Sequence, residues 1–264
     1  MKNGAVGFCA LEDGHLLGFV GVLDLATRTL SRDVEYVGGI YGVATMPNCV
    51  RKGVSTTLMK CANGYFEEKG YRFSFLGTNR TIVAHSFYEK LGYIDILEAP
   101  SAYKVLDTRT PFRAKAKEPF KTGIDRLVRI YNKYVQNCTG FVVRDKAHFR
   151  MLQKMEGLGA RNCIIGRCGY VFFKKQWNGV WIRELVALNK GEMSRLVRLV
   201  EEKAKDLVYD RAIMDSQLLD VYRSRAYMIH ERSHSVMMVK PLHADASYRE
   251  TYGGKFSLTG LDFF

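Results

Sequence analysis

The segment of this 264-residue chain best suited to chemistry runs Gly42-Val43-Ala44-Thr45-Met46-Pro47-Asn48-Cys49-Val50-Arg51-Lys52-Gly53-Val54-Ser55-Thr56. An apolar strand runs into a proline, then a basic loop with a glycine, then a helix. The free amides at a helix N-terminus and the helix dipole favour an anion there. Arg51 and Lys52 add positive charge, and Gly53 lets the backbone come close to a ligand. The arrangement suits a pyrophosphate. It is neither a P-loop nor a dinucleotide-binding turn, because the G-x-x-x-x-G-K-[ST] and G-x-G-x-x-G spacings are absent.

A second segment, Ala84-His85-Ser86-Phe87-Tyr88-Glu89-Lys90-Leu91-Gly92-Tyr93, places a phenol on a helix that ends at a glycine. Alone, the Phe87-Tyr88 pair reads as packing. Together the two segments resemble those of the GNAT N-acetyltransferase superfamily, a strand with P-x-x-[QR]-x-x-G-x-[GA] followed by A-x-x-F-Y-E-K-L-G-F. The resemblance covers about residues 5–98. Two positions depart from the pattern: Val50 stands where the family has Gln or Arg, and Ser55 where it has Gly or Ala.

The resemblance implies acetyl-CoA as co-substrate and direct transfer of its acetyl group to an amine. Val43, Ala44 and Thr45 would pair with the pantetheine arm, and an amide near Val43 would polarise the thioester carbonyl. Arg51, Lys52, Gly53, Val54, Ser55 and Thr56 would hold the pyrophosphate, and Asn79 would touch the pantetheine. Tyr88 would be the general acid for the departing thiolate. No metal is expected. The family places a strand and two helices before the hairpin, and this chain begins too late to contain them. Glu35 is one candidate base, with a strand-end salt bridge as its alternative reading; the chain terminus is another.

The elements that must position these residues follow from periodicity. Ala5–Leu11 and Leu16–Leu23 read as a hairpin, Tyr36–Thr45 as a buried strand, Ser55–Lys69 and Thr81–Leu91 as helices, and Arg72–Leu76 and Tyr93–Leu97 as strands. After a basic stretch the plan restarts. Helices are expected over Gly123–Asn137 and Asp145–Glu156, strands over Cys163–Phe173 and Val180–Ala187, and a long helix over Gly191–Leu207. Then come a strand over Arg211–Asp215, a short helix over Leu218–Ser224 and a strand over His234–Val239. The fold class is α/β, a GNAT fold with a mixed central sheet in two tandem repeats. The division is an acetyl-CoA-binding domain at about 1–105, a basic linker at about 106–120, a degenerate repeat at about 121–243 and a tail at about 244–264.

This plan resembles tandem GNAT proteins such as the enhanced-intracellular-survival acetyltransferases, in which the second repeat is degenerate and the tail can enter the active site. Ala187-Leu188-Asn189-Lys190-Gly191 lacks the proline and arginine of the first loop, so the second repeat is assigned no cofactor. The carboxylate of Phe264 is the candidate base, since the tail ends in Leu261-Asp262-Phe263-Phe264, whose aromatics favour burial. Asp262 is its rival.

Hydrophobic residues are 47% and charged residues 25%, an ordinary globular balance. The net charge is +13, and nearly all of it lies after residue 105, where 29 Lys/Arg face 17 Asp/Glu. A solvated basic surface is the plainer reading of that excess, because no nucleic-acid motif accompanies it. Six scattered cysteines without a C-x-x-C pair suggest neither a zinc site nor a disulfide framework, and point to a reducing, cytoplasmic setting. No signal peptide or membrane span is expected. The expected partner is a small-molecule or peptide amine acceptor. A homo-oligomer stays open, with no membrane and no nucleic acid expected. The competing reading is a catalytically weak module that senses acyl-CoA or binds nucleic acid through its basic half.

Overall fold

The computed structural model describes residues 6–107, 123–176, 179–231 and 235–262. The stretch 108–122, most of the basic linker, and Phe264 lie outside the described residues. β1 (Val6–Glu12) and β2 (His15–Arg28) form a hairpin closed by Asp13-Gly14, both at positive φ. That is the backbone a two-residue turn needs to match strand twist. β3 (Val34–Thr45) lies antiparallel to β2. α1 (Val54–Glu68) crosses to β4 (Phe73–Asn79), which is parallel to β3, and α2 (Val83–Lys90) leads to β5 (Ile94–Glu98). β6 (Ser101–Val105) follows at once.

The second half begins with α3 (Ile124–Tyr134), β7 (Thr139–Gly140) and α4 (Lys146–Met155). It then repeats the first plan. β8 (Cys163–Ile165), β9 (Gly169–Gln176) and β10 (Gly179–Ala187) are antiparallel neighbours. α5 (Lys190–Glu201) crosses to β11 (Leu207–Asp210), parallel to β10, and α6 (Ser216–Ser224) leads to β12 (Met228–His230). β13 (Ser235–Pro241), α7 (Tyr248–Tyr252) and β14 (Phe256–Ser257) end the described chain.

The repeats are interlocked. β13 inserts between β4 and β5 of the first sheet, and β6 inserts between β11 and β12 of the second. Range 1–105 therefore gives β6 to the second sheet, and range 121–243 gives β13, and at the other edge the short β7, to the first. The exchange has a local cause. Only Ala99-Pro100 separate β5 from β6, and neither has the positive φ of a tight hairpin turn, so β6 runs on instead of folding back. Val236, Met237, Met238 and Val239 are at 0% exposure, as a central strand buried on both faces requires.

Three sequence readings are corrected. The strand read over Cys163–Phe173 is two strands, β8 and β9. The helix read to Leu207 stops at Glu201, just past Val200, its last fully buried apolar residue. The strand read over Arg211–Asp215 lies earlier, at Leu207–Asp210; Asp215 instead caps α6, accepting from the amides of Gln217 and Leu218.

Four apolar clusters hold this frame. α1 and α2 pack on one face of the first sheet through Leu58, Met59, Phe66 and Tyr88. The other face packs Leu25, Val37, Phe73 and Phe75 against Phe141, Tyr252 and Phe256. α5 and α6 cover the second sheet through Leu196, Val200, Val221 and Tyr222. α3 and α4 cover its other face near β8 and β9, with Leu261 of the tail. Each fully buried large side chain contributes roughly 1.5–3 kcal/mol.

Candidate active site

β3 and β4 are paired only at Gly38–Ile40 with Ser74–Leu76. Beyond Ile40 and Leu76 the two parallel strands diverge and open a cleft. On the other side of β3 the ladder to β2 slips, with Tyr41 facing Gly21 and Ala44 facing Phe19. Gly42 and Val43 thus oppose Val20 alone, a β-bulge with Gly42 at φ 62. The bulge turns the β3 backbone out of regular pairing at the mouth of the cleft.

The basic loop follows. Pro47–Cys49 make one 3₁₀ turn, and Val50, Arg51, Lys52 and Gly53 are exposed. Arg51 holds a left-handed backbone, φ 63, and Gly53 holds another, φ 81, as the N-cap of α1. No side chain caps α1, and no acidic residue lies in its first turn. The amides of Val54, Ser55 and Thr56 therefore present an uncapped helix N-terminus beside two cations, the electrostatics of an anion site. Nothing lies within 4 Å of where a Gly53 Cβ would stand, so φ alone demands glycine and the space above it is open. Strain at Arg51, of order 1–3 kcal/mol, is the kind that structures retain at ligand sites.

Two further residues bring strand and helix together. Ser55 Oγ is hydrogen-bonded to Thr45 Oγ1, tying the end of β3 to the start of α1. This gives the departure at Ser55 a role that the sequence pattern does not show. Gly18 of β2 was not singled out from sequence. A Cβ there would come within 2.8 Å of Val54 Cγ1 and 2.9 Å of the Ala44 carbonyl oxygen, so glycine permits the close approach of β2, β3 and α1. Its only sequence signal is a glycine within an apolar strand.

Tyr88 lies on α2, in the cluster against which Val43 and Val54 also pack. Its ring is T-shaped to Tyr93 at 6.1 Å and tilted to Phe87 at 5.3 Å. It is 8% exposed, and its hydroxyl has no hydrogen-bond partner among the described residues. Burial pushes the phenol above its ordinary value. Asn79 ends β4, where its Oδ1 accepts from the amide and hydroxyl of Thr81. Glu35 is elsewhere. It begins β3, seven residues or roughly 23 Å from Gly42, and is held by Arg72 through two bonds of 2.8 and 2.7 Å. The salt-bridge reading of Glu35 stands, and it is not a base at the cleft.

The second repeat shows the same frame without the ligand features. Tyr222 and Tyr227 repeat Tyr88 and Tyr93, each second tyrosine donating its amide to the carbonyl of the first, at 3.0 and 3.1 Å. Ala226 holds the left-handed backbone that Gly92 holds in the first repeat. But Tyr222 is fully buried and donates to Asp210 Oδ2 at 2.9 Å. The eight-residue stretch between β3 and α1 shrinks to Leu188-Asn189, and Asn189 caps α5 by accepting from the Glu192 amide at 2.9 Å.

Asp210 gives this frame a pH dependence. Burial pushes its carboxyl up to about 6, against an ordinary 3.8. Between those values the folded chain keeps a proton that the unfolded chain releases, so stability falls as pH rises from about 4 to about 6. The expected loss is on the order of 3 kcal/mol. Asp210→Asn should flatten that part of the urea-midpoint profile, and an unchanged slope would rule Asp210 out as its source.

The tail crosses both halves. β14 pairs with β7, and Arg144 then pins residues 259–262, donating to Asp262 Oδ1 at 2.6 Å and Thr259 Oγ1 at 3.0 Å. Asp262 is 4% exposed, and its other oxygen accepts from the Thr259 amide at 2.6 Å. Both oxygens are thus engaged in structure, which removes it as the rival base.

Among the described residues no helix is long and apolar enough to cross a membrane, and no cluster of His, Cys, Asp and Glu is placed to hold a metal.

Residues 1–93 match the acetyltransferase (GNAT) family model. A comparison with curated proteins finds no match. Among solved structures, the chain resembles a GCN5-related N-acetyltransferase from Kribbella flavida at 16% identity and TM-score 0.60, covering 89% of this chain and 60% of that one. Eis1 from Mycobacterium abscessus is similar at 15% identity and TM-score 0.52, over 90% and 64%. A tandem GNAT protein from the clavulanic acid biosynthesis pathway is similar at 12% and TM-score 0.57, over 93% and 85%. At these identities the likeness is one of fold, a tandem GNAT architecture. The chain spans about three fifths of the length of the first of these structures.

Proposed function

We propose, from a chain whose residues 1–93 carry a domain of the acetyltransferase (GNAT) family, that it moves an acetyl group from acetyl-CoA directly to an amine. The observation that carries this reading is the uncapped, basic N-terminus of α1 at the mouth of the β3–β4 cleft. Amides of residues 53–56, with Arg51 and Lys52, suit the pyrophosphate. The outward edge of Val43–Thr45 suits the pantetheine amides, with Asn79 on the opposite wall. Acetyl-CoA supplies the activated thioester.

The residues do the rest. An amide at the bulge near Val43 donates to the carbonyl oxygen as negative charge grows there. The neutral amine attacks the carbonyl carbon, the C–S bond breaks, and the Tyr88 hydroxyl gives its proton to the departing sulfur. Its raised pKa keeps the phenol protonated at neutral pH, as an acid must be. The amine loses its proton to a base. Phe264, outside the described residues, stays in the reading as the residue whose carboxylate takes that proton, supported by the anchoring of the tail up to Asp262. Deleting Phe264 while keeping Asp262 should lower kcat from about pH 6 to about pH 9. A wild-type profile removes it. The second repeat acts as a cofactor-free wall, supported by the Asn189 cap and the buried Tyr222.

Gly53→Glu tests the cofactor site. The left-handed φ strains any Cβ, and a carboxylate at the anion site repels phosphate. Acetyl-CoA binding should fall at least about a hundredfold by calorimetry, or about 2.7 kcal/mol. Wild-type affinity would refute the site. The family further suggests a soluble enzyme that acts on a small-molecule or peptide amine.

A further inference from the structure

A cavity of about 550 Å³ opens between Gly77–Asn79 at the end of β4, Ser235 of β13 and the second sheet. On the second sheet, residues facing α5 and α6 alternate with residues on the opposite face, where α3 and α4 cover Tyr170, Phe172 and Val186. Phe173, Val180, Ile182 and Val208 belong to the helix-side core. Lys174, Trp181 and Tyr209, paired in register across β9, β10 and β11, therefore make one row on the opposite face. In the first repeat the equivalent face is apolar and covered by Phe141, Tyr252 and Phe256. In the second, α3 and α4 cover the part beside β8 and β9, and the part around Lys174, Trp181 and Arg211 is cationic and borders the cavity.

The row is rigid and charged. Tyr209 stacks on Trp181 at 5.9 Å and 12°. Arg183 Cζ lies 4.2 Å and Arg211 Cζ 4.5 Å from the Trp181 ring centre, so one indole orients two guanidinium groups. Glu156 meets both Lys174, at 2.8 Å, and Arg183, at 3.0 Å. The other acid of the lining, Asp210, points to the helix side and is bonded to Tyr222. Among the described residues, Lys174, Arg183 and Arg211 thus face the cavity with Glu156 among them. Guanidinium forks held flat on an aromatic surface recognise carboxylate and phosphate oxygens.

We infer that this cavity selects amine acceptors that also carry an oxyanion, a carboxylate or a phosphate, which Arg211 and Lys174 hold while the amine reaches the β3–β4 cleft past Asn79. The inference rests on the acetyl-transfer reading and adds the class of acceptor to it. The excess of basic residues after position 105 would raise the local concentration of such acceptors.

The test uses the full chain with saturating acetyl-CoA and thiol release as readout. One arm pairs ω-amino acids with their carboxamides, the other aminoalkyl phosphates with the matching amino alcohols. In at least one arm, which identifies the oxyanion, the charged member should have kcat/KM at least about tenfold higher. Arg211→Gln, and separately Lys174→Gln, should bring that preference to within about threefold. Equal turnover of charged and neutral members would overturn the inference, as would a preference that survives both substitutions. No turnover of any pair while calorimetry shows acetyl-CoA bound would also overturn it and leave the cofactor site standing. Loss of acetyl-CoA binding in the wild-type chain would bring down both.

Discussion

Tyr88→Phe should lower kcat by roughly tenfold to a thousandfold while acetyl-CoA affinity stays within about twofold of wild type. The substitution removes one oxygen from a ring that otherwise keeps its contacts with Phe87 and Tyr93. It breaks no hydrogen bond to a described residue, so stability should hardly move. A large fall in kcat with little change in stability or binding is the signature of a lost proton donor. The alkaline limb of the kcat profile, above the ordinary phenol value of 10.0 because burial raises it, should vanish with the hydroxyl. Tyr222→Phe is the contrasting control. Its hydroxyl bonds to the buried carboxylate of Asp210, so its loss should cost stability, on the order of 1–3 kcal/mol, and leave kcat of the folded fraction unchanged. Wild-type kcat in Tyr88→Phe would reduce Tyr88 to packing.

Arg144→Met should destabilise the fold by about 3–5 kcal/mol, read as a lower urea midpoint. The Arg144 side chain is at 0% exposure between Glu184, at 2.6 Å, and Asp262, at 2.6 Å, and lies over the Tyr131 ring at 4.2 Å. Tyr170 donates to the other oxygen of Glu184 at 2.7 Å. Removing the cation strands two carboxylates away from water. Such a loss is a large fraction of the roughly 5–15 kcal/mol that holds a domain together. Adding Glu184→Gln and Asp262→Asn should restore much of it, because the neutral trio no longer buries uncompensated charge. A triple variant as unstable as Arg144→Met would show that shape and not charge sets the cost. Because this cluster fixes Thr259 and Asp262, Arg144→Met should also loosen the tail, read as faster amide exchange at 258–262.

The local frame of the candidate site was the part most legible in the sequence, because it depends on short segments. The basic loop proposed for the pyrophosphate needs consecutive residues: a proline just after β3, a left-handed glycine at 53 and a helix directly after. The tyrosine segment is equally local, since one helical turn and a glycine fix the placement of Tyr88 and Gly92. The α/β order and the restart after the linker followed from periodicity, which the chain carries residue by residue. Whether Glu35 was a base or a strand-end ion pair was not local, since Arg72 lies 37 residues away in sequence. Nor was the strand exchange. The unbroken apolar run Val236–Val239 shows a buried strand but not which sheet buries it, and it is buried between β4 and β5 of the first sheet. The Arg144 cluster joins residues 40 and 118 positions apart. The cationic face of the second sheet exists only because three strands come into register, setting Lys174, Trp181 and Tyr209 side by side. Spacing along the chain can place a basic loop before a helix N-terminus, but only packing decides which distant charges share a cavity.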